Sequence, residues 1–392
     1  MKTVKYKKIL LMLSVFLFAT NFYQHKELFE YINIFMIFGV LLIIFTILFN
    51  TKSRNIKSFD KLIKIYFIGI FFSMIFCYLY WDQSFITSLF ALKTYYFMFF
   101  YYALHRLKPS FKEIHYTIII IGVCYILAYI TNYINFPDII YGLKGRERRG
   151  TLSFTIAGVT FMIYTLFLSF YNIKFLKKKK YIFLFMLCFI VLFTRASRSA
   201  IFAVCFSLFI FNYLKTIGFE KKIFNVVYYL IAAGFIYFNF AIFFDGLLFK
   251  IESDLSDGDN YVRIRSAYYY IYEHSPSIWN YIFGNGKFSG TSDYGQYMMT
   301  TMWKRRGLYA EDIGLIGFWS YFGVITLTTY FVMLHKLLKK DNFLPIRMFS
   351  FYLIIMSITS MDSYQIDGII IQSMLFYLTD ISLTQMNING NT

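Results

Sequence analysis

The stretch "YIFLFMLCFIVLFTRASRSAIFAVCFSLFIF" (181–211) is oil with two charges set into it, Arg195 and Arg198. A guanidinium at the centre of a bilayer costs about 2.5–3.5 kcal/mol or more. The pair therefore belongs at a membrane surface, at the turn of a helical hairpin. The rest of the chain agrees. It has 392 residues, 58% hydrophobic, 23% aromatic and only 15% charged, with mean hydropathy +0.55. A soluble domain of this size cannot hide that much apolar surface. Apolar runs recur at about the 20-residue length that crosses the ~30 Å hydrocarbon core as helix.

The expected fold is an all-α polytopic membrane protein, a single membrane domain over 1–392. About twelve transmembrane helices are expected, over 9–23, 28–49, 65–81, 84–103, 115–135, 153–173, 181–194, 200–214, 223–244, 313–334, 346–360 and 368–384. The first span follows "MKTVKYKK" as a signal peptide would, but no A-x-A site follows it and the second span begins at once. It reads as an uncleaved helix. Cys77, Cys124, Cys188 and Cys205 all lie in apolar runs with no metal or redox spacing, and read as small core residues.

The net charge of +18 could suggest nucleic acid, but topology accounts for it first, because basic loops stay cytoplasmic. With both termini cytoplasmic, 24 of the 39 Lys+Arg fall in inner segments, including 21 of the 27 lysines. Arginine does the reverse. Nine of the twelve, Arg146, Arg148, Arg149, Arg195, Arg198, Arg263, Arg265, Arg305 and Arg306, fall outside. Topology needs only positive charge, which lysine supplies. Arginine on the outer side adds a planar, multi-donor fork suited to phosphate or carboxylate. A chance split, or simple attraction to anionic lipid head groups, are the plainer alternatives.

The outer arginines lie in "GLKGRERRG" (142–150), in "RASRS" (195–199) and in one long external connection, 245–312, between the ninth and tenth spans. Loops of that length usually carry function. "NYVRIRSAYYYIYEHSPSIWNYIFGNG" (260–286) predicts a folded cap, with an aromatic-rich helix, a Ser-Pro break and a turn at Gly284 and Gly286.

This arrangement resembles the Wzy-type polysaccharide polymerases of the O-antigen ligase/polymerase superfamily. The resemblance rests on "RASRSA" (195–200), "RIRSAYYYIYEHSPSIWNYIFGNGKF" (263–288), "YAEDIGLIGFWSYFGVI" (309–325) and "RRGTLSFTIAG" (148–158), covering roughly 145–330. It implies a GT-C-like fold in the bacterial plasma (inner) membrane, with the active site extracytoplasmic. The implied reaction is transfer of a glycan from undecaprenyl diphosphate to an acceptor hydroxyl, without metal or cofactor. O antigen and capsule are both products of such enzymes. Donor and acceptor would be undecaprenyl-diphosphate-linked glycans in the lipid bilayer, and a chain-length regulator and a flippase are the further partners implied. No nucleic acid is expected.

Residue roles follow from the chemistry. Breaking a sugar–diphosphate bond develops negative charge on the leaving group, which positioned arginines stabilise. Arg195 and Arg198, at i and i+3, would share one helix face and clamp the diphosphate, with Arg149 nearby. Arg263 and Arg265 point to opposite sides of a helix, so one of them, Arg265 for preference, would complete the clamp from the cap. The ligases carry a histidine near the end of the large loop. Here "AEDIG" stands there, so Glu311 or Asp312 is the candidate general base, unless both only cap a helix start. His274 is read as cap packing or a base, and Lys93 as substrate-lining or snorkelling. "DGD" (257–259) has metal-site spacing but reads as a solvated turn. The rival functions are a ligase, a lipid-linked oligosaccharide flippase or other transporter, and a membrane acyltransferase. The last would want an intramembrane histidine, and none reads as well placed.

Overall fold

The computed structural model describes residues 6–49, 58–142, 145–148, 151–195, 197–215, 261–361 and 365–389. In chain order the helices are α1 (Tyr6–Ala19), α2 (Ile32–Phe49), α3 (Asp60–Trp81), α4 (Phe85–Ala91), α5 (Phe100–Leu107), α6 (Phe111–Asn135), α7 (Val159–Lys174), α8 (Tyr181–Thr194) and α9 (Arg198–Lys215). Then come α10 (Val262–Tyr268), α11 (Ile278–Phe283), α12 (Asp293–Tyr297), α13 (Leu315–Leu337), α14 (Leu344–Met356) and α15 (Ile366–Asn389). A two-stranded antiparallel hairpin, β1 (Gly145–Arg148) and β2 (Thr151–Phe154), precedes α7.

Local chemistry sets the ends. Ser110 and Glu113 form a reciprocal capping box at the start of α6, and Pro345 sits in the first turn of α14. Among the described residues, four apolar helical stretches are long enough to cross a membrane: Lys26–Phe49, Asp60–Trp81, Phe111–Asn135 and Leu315–Leu337. Tyr181–Thr194, Arg198–Leu214 and Leu344–Met356 are apolar but shorter. The expectation of about twelve spans is thus met in kind rather than in number. The ninth, 223–244, lies outside the described residues.

The fourth expected span is the main correction. Residues 84–103 do not form one helix. The chain runs as α4, a turn at 92–94, a 3-10 segment Tyr95–Phe99, and then α5. A straight helix would leave Lys93 at membrane depth on an apolar surface. The break instead turns its ammonium onto the Asn33 Oδ1.

Helix ends sort into two faces. On one, Ser58 meets Asp380, Lys336 donates to the Ser58 carbonyl, and the Tyr377 hydroxyl donates to Pro109 O at 3.0 Å. On the other, Lys26 N donates to Ile140 O (2.9 Å), Leu315 N to Ser357 O (2.8 Å) and Gly158 N to Asp367 Oδ2 (2.9 Å). Helix α15 runs between the faces through the core, with every side chain from 367 to 381 buried.

The described part of the large loop, 261–312, folds as a cap on the second face. It contains α10–α12 and two π-helical turns, Tyr269–Glu273 and Met298–Arg305. Trp81, at the end of α3, stacks on His274 (5.3 Å between rings) and Tyr294 (4.5 Å), while its Nε1 donates to Asn285 Oδ1. The turn at Gly284 lies against α13. At φ +88, a Cβ there would stand 2.3 Å from Tyr321 O, so no side chain fits.

Candidate functional site

A cleft of about 330 Å³ opens on the cap face between α1, α2, the break at 92–94, the 155–157 loop and the start of α15. Arg195, Asp367, Gln24 and Thr94 line it. Asp367 is committed to structure. Its Oδ2 accepts from Gly158 N and from the Thr160 hydroxyl (both 2.9 Å), so it caps α7 and offsets that helix's positive end. Arg195 has no such partner, for among the described residues no carboxylate lies within 4 Å of its guanidinium. Its charge is not ion-paired within the cleft, although Asp367 shares the lining. Gln24 Oε1, on a lining residue, is buried and without a hydrogen-bond partner among the described residues, as is the Tyr125 hydroxyl behind the lining, which lies within electrostatic reach of both Arg195 and Asp367. An anionic ligand in the cleft would meet the Arg195 guanidinium.

The hairpin turn differs from its expected form. Arg195 ends α8 and Arg198 begins α9, so the two do not share one helix face at i and i+3. Only Arg195 is among the cleft's lining residues. Ser153 Oγ from β2 donates to the Arg195 carbonyl at 3.0 Å and fixes the turn. Arg149 lies outside the described residues, as do Asp257 and Asp259. Among the described residues no three of His, Cys, Asp and Glu converge as a metal site requires.

A second polar centre lies on the other side of the 92–95 break. Lys287, just after the Gly-Asn-Gly turn, holds its ammonium 5.4 Å over the Tyr95 ring. Burial lowers the Lys287 pKa, partly countered by Glu311 and reinforced by Lys93. Burial likewise raises the Glu311 carboxyl above its ordinary value, against the pull of its own backbone N–H and of Lys287. The hydroxyl of Tyr270 lies within Glu311's electrostatic reach. Of the acidic pair, Glu311 faces this centre from the 3-10 turn Ala310–Ile313, whereas Asp312 is exposed. Three consecutive residues therefore join the two centres: Lys93 and Tyr95 in one, Thr94 in the other. Interrupted helix at membrane depth is tolerated where it is buried in protein or lines a polar cavity.

The cap arginines are elsewhere. Arg265 lines a separate groove with Arg306, Glu273 and Tyr268, and that groove shares no residue with the Arg195 cleft. Arg263, two residues away, is exposed and does not line the groove. The expected single clamp of Arg195, Arg198 and Arg265 is thus divided between two places. His274 is fully buried, with Tyr294 Oη 3.0 Å from its Nε2 and Tyr269 Oη 3.4 Å from its Nδ1. Burial pushes its pKa down to about 3, so it is a neutral packing residue of the cap.

Two buried histidines also went unrecognised. His105 pairs with Asp380 (3.1 Å), and His115 meets Tyr164 (3.2 Å), both away from the cap face. Sequence reasoning missed Asp367 and Lys287 as well, and named Arg306 only as one of the outer arginines. Lys287 stood beside a recognised glycine turn, which was its one visible signal. No known protein-family model matches the chain, and no curated protein is significantly similar to it.

Proposed function

We propose that the protein is a membrane glycosyltransferase that polymerises polyprenyl-diphosphate-linked oligosaccharide repeat units, acting on its cap face at the outer surface of a bacterial plasma membrane. One observation carries the reading: a helix broken at 92–94 that joins a cleft holding an arginine with no ion-pair partner to a half-buried lysine–glutamate centre. Arg195 would hold the diphosphate, with Lys93 and Lys287 adding positive potential across the break. At an effective dielectric of 20, one such charge at 4 Å is worth about 4 kcal/mol. The acceptor hydroxyl attacks the anomeric carbon, the bond from that carbon to the diphosphate oxygen breaks, and the proton passes to Glu311. The raised pKa of Glu311 makes it a stronger proton acceptor than an ordinary carboxylate. Polyprenyl diphosphate leaves with the electron pair.

The test uses purified protein in nanodiscs with an undecaprenyl-diphosphate-linked oligosaccharide, read as ladder length on a gel. Wild type should give ladders and Arg195→Ala single units. The same broken helix favours a second reading, a transporter for lipid-linked oligosaccharide. Accumulation of units on the cytoplasmic side in Arg195→Ala cells would favour transport over transfer.

A further inference from the structure

On the cap, a groove of about 600 Å³ is lined by Arg265, Arg306, Glu273, Tyr268, Tyr269 and Leu308. Arg265 Nη2 donates to the Arg306 backbone carbonyl at 3.5 Å, which ties its guanidinium to the chain at Arg306, and both arginines line the groove. Glu273, 3.9 Å from Arg306 Nη1, is the one carboxylate within 4 Å of either guanidinium among the described residues. Two guanidinium forks with one half-exposed acid leave room for a second anion. Beside them stands an exposed aromatic pair. Tyr268 and Tyr272 are 58% and 66% exposed, with ring centroids 5.0 Å apart. Exposed paired rings on a water-facing surface mark a contact site. The backbone gives an independent indication, because both π-helical turns border the groove. Tyr269–Glu273 supplies two of its residues, and Met298–Arg305 ends directly before Arg306. Such turns are rare and concentrate at functional sites.

We infer that this groove binds an anionic glycan, the arginine forks taking a sugar-borne carboxylate or phosphate and the tyrosine faces stacking on sugar rings. The inference rests on the glycan-transfer reading and narrows its substrate to an acidic repeat unit. Its ligand would be the growing or incoming glycan some way from the diphosphate, since groove and cleft share no residue.

The experiment measures equilibrium binding to full-length protein in neutral-lipid nanodiscs at about 0.1 M salt, close to a 10 Å screening length. The probes are a glucuronic-acid-containing hexasaccharide, a neutral N-acetylglucosamine hexasaccharide and the neutral backbone carrying glycerol phosphate. Either anionic probe should bind at least tenfold tighter than the neutral one, and which does so identifies the anion. That advantage should fall below threefold in Arg265→Gln and Arg306→Gln, while Tyr268→Ala weakens all three probes together. Thermal melts confirm that these exposed-site variants remain folded. Equal binding of acidic and neutral probes, or an advantage untouched by both arginine changes, overturns the inference. Ladders without acidic preference would sink the groove and leave the transferase standing. Acidic preference without ladders would sink the transferase instead.

Discussion

Helix α15 carries a carboxylate near each face of the molecule, and the two surroundings are built differently. Asp380 is sealed. Its oxygens take the Ser58 amide (3.2 Å) and hydroxyl, the Tyr101 hydroxyl (2.6 Å) and His105 Nε2 (3.1 Å), and it is 2% exposed. Asp367 is equally buried, but it sits at the floor of an open cleft opposite an arginine with no carboxylate of its own. Where polar groups only join helices, they are enclosed and matched. At the Arg195 cleft, by contrast, a charge without an ion pair faces open space. The first kind of cluster should govern stability, the second activity.

The largest expected effect is on the sealed side. Asp380→Ala strands Ser58, Tyr101 and His105 without their common acceptor and should cost about 3–5 kcal/mol, read as a fall in the thermal midpoint in detergent or nanodiscs. An unchanged midpoint would erase the contrast. Arg195→Ala should reverse the pattern, with chain growth down about 10²–10³-fold and the midpoint unmoved. Arg195→Lys should rescue poorly, because the ammonium keeps the charge but loses the fork.

Glu311 sharpens the active side further. If it accepts the proton, the rate should climb with pH through its raised pKa and level off above it. Glu311→Gln should lower the plateau by about a hundredfold and remove that rising limb. His274 bears on cap stability. Its folded pKa of about 3 lies below the ordinary 6.5, so the unfolded chain binds the extra proton between those values. Stability should be full above about pH 6.5 and decline as pH falls toward 3, and His274→Gln should flatten that decline. The smallest effect belongs to exposed Asp312, where Asn should change rate less than about threefold.

Much of the helical layout was legible, because apolar runs are long, redundant signals. The hairpin over 181–211 and the turn at Gly284 and Gly286 stand where the sequence suggested. The break at 92–94 was not legible, since Lys93 and Thr94 interrupt an apolar run no more strongly than the polar residues that other helices absorb. Its cause is tertiary: Asn33 from α2 on one side and Lys287 over Tyr95 on the other. Asp367 was hidden for a similar reason. Its meaning depends on the amide of Gly158, some two hundred residues away, and no local pattern marks that meeting.

The two ends of α15 have a mechanical consequence. Asp367 and Asp380 are thirteen residues apart, about 20 Å of helix, and each is fastened to a different set of neighbours. Sliding the helix by a single turn, about 5.4 Å, would unhook both at once. The floor of the Arg195 cleft is therefore a pinned post. The wall beside it, at 92–94, belongs to the two short half-helices of 85–107 and has no such double fastening on α15.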